Sequence, residues 1–235
     1  MVVLIHGSLD RMAGMALLAR ELAPVAHVLR FDRRGYGDSW MHPGPCTAAE
    51  NARDVEMLLA GRRALLIGHS YGGNVALAAA EMLGDQILGV STYETPLSWL
   101  PIWPAGTAGG RAVTAGPETA AEEFMVALIG RDKWDRLSER TRQARRREGR
   151  ALVGELGDLR ASAPWDAARI ACRVLAGHGT KAREHHVRGV QWIVDNVPGA
   201  EYVVLEGAGH GAPTSHPSQF SAALVMPHLA ALKNR

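Results

Sequence analysis

Residues 68–72 read Gly-His-Ser-Tyr-Gly, a G-x-S-x-G pentapeptide centred on Ser70. A serine hydroxyl is a weak nucleophile, and it becomes a strong one when a strained turn holds it beside a base. Glycines two residues to either side keep Cβ atoms out of such a turn. An apolar run at residues 64–67 leads in, and a helix-like run at 74–83 leads out. That order aims a helix N-terminus at the reacting centre, where backbone N–H groups can hold developing negative charge. The expected base is His210, in Glu206-Gly207-Ala208-Gly209-His210-Gly211. Its glycine-flanked loop follows the last expected strand, and open parallel sheets gather their ligands at the C-terminal strand ends. Two oxyanion donors are expected: the N–H of Tyr71, next to the nucleophile, and that of Ser8 in the loop His6-Gly7-Ser8-Leu9. Together these residue types can perform nucleophilic acyl transfer.

The elements that must position them follow an alternating pattern. Short continuous apolar runs at residues 2–5, 25–31, 64–67, 87–93, 172–176 and 201–205 read as strands covered on both faces. Helix-like segments at 12–22, 48–60, 74–83 and 184–196 separate them, with a last helix from about Ser218 that Pro227 should kink. Thr47-Ala48-Ala49-Glu50 is a capping box for the second of these. Residues 32–46 form a loop rich in Gly and Pro. Strand and helix in alternation predict an α/β fold with a mostly parallel central sheet. Residues 96–165 break the alternation. They open on Pro96-Leu97-Ser98-Trp99-Leu100-Pro101-Ile102-Trp103-Pro104, and two helical segments follow near 118–129 and 132–159. The expected organisation is a core of residues 1–95 and 166–235 with a helical cap at 96–165.

Composition narrows the function classes. The 235 residues are 47% hydrophobic and 21% charged, as in an ordinary globule. A formal charge of +2 argues against a nucleic-acid or membrane partner. Two distant cysteines, Cys46 and Cys172, give neither metal spacing nor a disulfide framework, so a reduced, cytoplasmic compartment is expected. The start, Met-Val-Val-Leu-Ile, lacks the basic segment and cleavage site of a signal peptide.

Four stretches together resemble the α/β-hydrolase fold family: residues 2–8, residues 31–39, Gly68-His69-Ser70-Tyr71-Gly72-Gly73 and Gly207-Ala208-Gly209-His210. They stand in the family's order and span the chain apart from the cap. The resemblance implies a Ser-His-acid esterase or related acyl hydrolase with no metal or organic cofactor. It implies structural roles for Asp32, Arg34 and Asp38 in the 32–39 turn. A cofactor-free lyase or perhydrolase on the same residues, and a non-catalytic ligand-binding protein on this fold, remain as alternatives.

The sequence departs from the family pattern in two places. Most members carry the acid in a Gly-x-x-Asp loop, and here that loop reads Gly177-His178-Gly179-Thr180-Lys181. Thr180 cannot orient and charge-stabilise an imidazolium. Glu94, just after the strand that follows the elbow helix, is the first candidate, since some family members place their acid there. Glu184 is the rival, and a Ser-His dyad or another acid completes the possibilities. The family also has an antiparallel hairpin before its His-Gly strand, whereas this sequence starts at that strand. The fold is then trimmed or the start is internal, and an exposed sheet edge favours dimerisation.

Other features are read more plainly. His178, His185 and His186 lack metal spacing, and no metal site is expected there. The run Arg142, Arg145, Arg146, Arg147 and Arg150 reads as a solvated helix face, or else as a patch that draws an anion to the cap cleft. Trp99, Trp103, Trp134 and Trp165 suggest an aromatic-lined pocket for a small apolar acyl substrate. His69 is expected to pack or hydrogen-bond locally.

Overall fold

The computed structural model of the protein describes residues 1–42 and 44–233, so position 43 of the 32–46 loop lies outside it. Six strands form one parallel sheet: β1 (Val2–Ile5), β2 (Val28–Arg30), β3 (Ala64–His69), β4 (Ile87–Tyr93), β5 (Val174–Gly179) and β6 (Glu201–Leu205), in spatial order β2-β1-β3-β4-β5-β6. The second strand is shorter than the expected 25–31, because Val25 and Ala26 still turn back onto the preceding helix, their N–H groups donating to Leu22 O. β1 lies inside the sheet, and β2 forms that edge.

Alternation within the strands divides the core. Val3 and Ile5 of β1, with Leu66 of β3, face one side; Val2, Leu4, Leu65 and Ile67 face the other. The first side is covered by helices α2 (Ala48–Leu59) and α3 (Tyr71–Leu83), which supply Ala52, Val55, Val75 and Leu77. The second is covered by α1 (Ala16–Leu22) and, near the C-terminus, Phe220 and Leu224. A period of two with both faces apolar is what a helix-sheet-helix sandwich demands.

Thr47 caps α2 through its hydroxyl, which accepts from the Glu50 N–H, but the Glu50 carboxylate turns to Arg34 and Arg53 instead of completing the box. Between β4 and β5 the described residues form five α-helices, a short 3-10 helix at Ala167–Arg169 and no strand: α4 (Ala108–Ala112), α5 (Pro117–Ile129), α6 (Arg131–Asp135), α7 (Glu139–Arg147) and α8 (Gly149–Ala161). The expected continuous segment 132–159 is therefore three helices. Ser138 caps α7 through its hydroxyl and resets the axis. Gly149 starts α8 where a Cβ would strike the Pro117 carbonyl, so the crossing of α8 over α5 needs a residue without one.

α9 (Glu184–Asn196) follows β5, and α10 (Ala212–Ser215), α11 (Pro217–Leu224) and α12 (Met226–Lys233) close the chain. The expected kink at Pro227 falls at Val225, with Pro227 in the first turn of α12, where its missing N–H costs nothing. Among the described residues no helix is long and apolar enough to cross a membrane.

The register matters most for function. Ile5 pairs with Gly68, His69 with Tyr93, Tyr93 with Gly177, and Gly179 with Leu205. The residues that follow these strand ends, His6, Ser70, Glu94, Thr180 and Glu206, therefore emerge along one edge.

Candidate active site

Ser70 leaves β3 with φ 53° and ψ −126°, a left-handed conformation that side chains rarely adopt. Its neighbours make the strain tolerable. A Cβ on Gly68 would strike the backbone of Gly72 and Gly73, and one on Gly72 would strike the Ile5 carbonyl. A Cβ on Gly7 would lie 2.9 Å from that of Ser70, so the first loop can approach the serine only as glycine. The Ser70 N–H donates to Tyr93 O at 2.9 Å, which ties the turn to β4. The helix begins at Tyr71, three residues before the helix-like run expected from 74, so the Tyr71 N–H has no partner inside α3.

Glu94 is also held with positive φ, at 46°, and it is 1% exposed. Its N–H donates to Gly177 O at 2.9 Å. The Gly179 N–H donates to Oε1 at 3.3 Å, and His210 Nδ1–H donates to Oε2 at 2.8 Å. A buried carboxylate that accepts Nδ1–H fixes the ring's orientation and leaves Nε2 free for a second partner. Ser70 and His210 line one cavity of about 230 Å³, together with Ser8 and Glu94. Among the described residues no hydrogen bond joins the serine to the imidazole; such bonds commonly tighten only when substrate is bound. Glu184 stands exposed in the first turn of α9 and does not line the cavity.

The His210 loop is anchored on several sides. Tyr93 OH donates to Gly209 O at 3.0 Å, and His69 Nε2–H donates to His210 O at 2.7 Å. Burial, with His210 close by, pushes the His69 pKa down to about 3, so this ring stays neutral. Its centroid lies 4.7 Å from that of His210, and the His186 ring centroid lies 5.1 Å from the same ring. Burial first, then His210, also holds His186 well below the usual imidazole range. Thr180 carries no charge but ties the same loop: its Oγ1 accepts from the Gly207 N–H at 2.9 Å.

Arg33 and Glu155 carry a role that the sequence did not reveal. Both are fully buried and paired, Nη1 to Oε2, at 2.8 Å. Arg33 also donates to the carbonyls of His6 (2.9 Å) and Gly7 (3.1 Å), and its guanidinium stacks 4.9 Å over the rings of Tyr36 and Tyr71. Glu155, from α8, accepts from Ser8 Oγ at 2.5 Å and Tyr36 OH at 2.7 Å. One ion pair thus braces both loops expected to supply oxyanion donors. Nothing in Asp32-Arg33-Arg34-Gly35 separates the buried arginine from its neighbour, and the partner lies 122 residues away. Arg34 pairs with Glu50 and Asp54 of α2, and Asp32 accepts from the N–H groups of Met12 and Asp38.

The expectation for the tryptophans changes here, and the arginine run and the histidines find their contacts. Of the four tryptophans, only Trp103 lines the cavity. Trp99 and Trp165 cluster with Trp192 around a broader cleft of about 700 Å³ that shares no lining residue with it, and Trp134 is core. The chemistry assigns the site to the smaller cavity. The arginine run is consumed in part by pairs: Arg142 with Glu139, Arg145 with Glu148, and Arg146 with Glu122 and Glu139. The histidines scatter: His178 bonds Tyr202, while His185 and His186 pack on Trp103. His186 instead joins Glu94 and His210, with ligand atoms within 4.8 Å of one another, but Glu94 and His210 already bond each other.

A parallel six-stranded sheet with a strained serine at the end of its central strand defines a hydrolase of a familiar architecture. The chain belongs to the α/β-hydrolase family, whose model matches residues 2–223, and it is an enzyme of that class. It resembles an alpha/beta hydrolase from Sphaerobacter thermophilus DSM 20745 (25% identity, TM-score 0.67, covering 93% of this chain and 91% of that one). A hydrolase from Pseudomonas aeruginosa PA01 is similar at 24% identity and TM-score 0.75, over 97% and 89% of the two chains. The enol-lactonase from Burkholderia xenovorans LB400 is similar at 23% identity and TM-score 0.73, over 98% and 90%. No curated protein matches the sequence.

Proposed function

We propose that the protein is a serine hydrolase that cleaves small to medium apolar carboxylic esters, thioesters or lactones through an acyl-enzyme on Ser70. The hydrogen bond from His210 to buried Glu94, facing Ser70 across one cavity, carries this reading. His210 Nε2 takes the Ser70 proton as Oγ attacks the carbonyl carbon, and the carbonyl electron pair moves onto oxygen. The N–H groups of Tyr71 and Ser8 stabilise that oxyanion. The tetrahedral adduct collapses, His210 protonates the leaving alcohol, thiol or ring oxygen, and an acyl-serine remains. Water, deprotonated by His210, then releases the acid. Glu94 holds the imidazole in place and stabilises its cationic form.

Residues 96–165 serve in this reading as a cap whose α5 and α8 supply Phe124, Ala127, Leu128 and Leu156 as an apolar wall for the acyl group. A short-chain p-nitrophenyl ester should give a burst of nitrophenolate equal to the enzyme present, followed by slower turnover. Ser70→Ala should remove both phases. Turnover that survives that substitution rules the nucleophile out.

A further inference from the structure

The cavity has two chemically distinct walls. One is apolar: Trp103, Phe124, Leu128 and Leu156. The other is the loop from β5 into α9, which brings Lys181, Arg183, His185 and His186 to the same space. This is the loop that in most relatives would hold the catalytic acid. With the acid at Glu94, the loop carries cations instead.

Lys181 is fixed beside the catalytic loop. Its N–H donates to Ala208 O at 2.9 Å, and its Cβ lies 3.7 Å from where a Cβ on Gly209 would stand. Among the described residues, neither Lys181 nor Arg183 forms a salt bridge or a side-chain hydrogen bond. Three of the five arginines of α7 differ in this respect, since Arg142, Arg145 and Arg146 are paired with acids. Glu94 is the one carboxylate in the described cavity wall, and both its oxygens are already taken, by His210 and the Gly179 N–H. Among the described residues, no carboxylate therefore lies within salt-bridge reach of Lys181 or Arg183. His186, in the same wall, keeps a buried Nδ1 without a hydrogen-bond partner.

We propose that the substrate of this site is an ester or lactone with an apolar body and a terminal carboxylate, and that Lys181 and Arg183 hold the carboxylate. The inference rests on the hydrolase reading and adds the substrate's charge to it. Two cations at the mouth of a low-dielectric cleft focus field on an approaching anion, and salt screens that attraction. The selectivity expected from two partly exposed ion pairs is about tenfold.

The test compares mono-p-nitrophenyl glutarate with p-nitrophenyl valerate, which match in acyl length and differ in the terminal charge. The readout is the ratio of their kcat/KM values within each variant, which does not depend on how much active enzyme survives. The wild type should favour the glutarate about tenfold at an ionic strength of roughly 0.01 M and lose most of that preference near 1 M. Lys181→Gln/Arg183→Gln should bring the ratio near one, and Lys181→Glu/Arg183→Glu should invert it. A wild-type ratio of one or less, or a ratio that charge reversal leaves unchanged, overturns the inference and leaves the hydrolase reading standing. No turnover of either ester, with no covalent labelling of Ser70 by a fluorophosphonate, overturns both.

Discussion

Glu155→Gln removes one charge from a fully buried pair and changes almost no volume. Its consequences follow from the contacts. The two carboxylate oxygens accept from Ser8 Oγ, Tyr36 OH and two nitrogens of Arg33. A glutamine offers one acceptor oxygen and turns an N–H₂ group towards a guanidinium that cannot lose its proton. Arg33, with no exposed surface, is left as an uncompensated buried charge. Breaking a buried pair in this way costs about 3–5 kcal/mol. For a domain of this size each kcal/mol lowers Tm by roughly 2–4 °C, so Tm should fall by roughly 6–20 °C. The control is Glu122→Gln, which breaks surface pairs with Arg131 and Arg146. Each exposed pair contributes about 0–1 kcal/mol, so losing both should cost less than about 8 °C. Differential scanning calorimetry at neutral pH reads both. A Glu155→Gln protein that melts within about 2 °C of the wild type would refute the claim that this pair braces the core loops against α8.

Two further outcomes follow from the site. Glu94→Gln should lower kcat by roughly 10³–10⁴-fold through loss of the correct imidazole tautomer, while Glu184→Gln changes it less than about twofold; equal small effects in ester turnover would point to a dyad. Stability should fall on acidification. Burial lowers the folded-state pKa of His6, His69, His186 and His228, to about 3 for His69 and about 4 for His228. Below the unfolded value of about 6.5 the unfolded chain binds protons that the folded one refuses, so each group removes up to about 1.4 kcal/mol per pH unit until its folded pKa is reached. Urea titrations between pH 7.5 and 5 should show this loss, and His69→Gln should flatten its slope; a pH-independent midpoint would contradict it.

What could be read from sequence was local or periodic. The continuous apolar runs predict the sheet because a strand covered on both faces has no polar side. The glycines around Ser70 predict the elbow because its backbone admits no Cβ nearby. Thr180 in the usual acid position points to Glu94, and the structure puts that carboxylate 2.8 Å from His210. The rest depends on contacts between distant segments. Glu155 reads as one more charge on a helix until the fold presses α8 against Arg33 in the loop after β2. The tryptophans divide between the cavity, a second cleft and the core, because the insertion breaks at Gly130, Ser138 and Gly149 rather than running as two rods. The cations at the cavity were hidden for the converse reason. A long arginine run stands out in the sequence, whereas Lys181 and Arg183 act through position and not through number.

The central claim is that Ser70 is a nucleophile activated by His210. A fluorophosphonate probe followed by peptide mass spectrometry tests it directly. A single phosphonyl adduct is expected on the peptide containing Ser70, lost in both Ser70→Ala and His210→Ala. An adduct on any other residue, or labelling of Ser70 that is undiminished without His210, would contradict it.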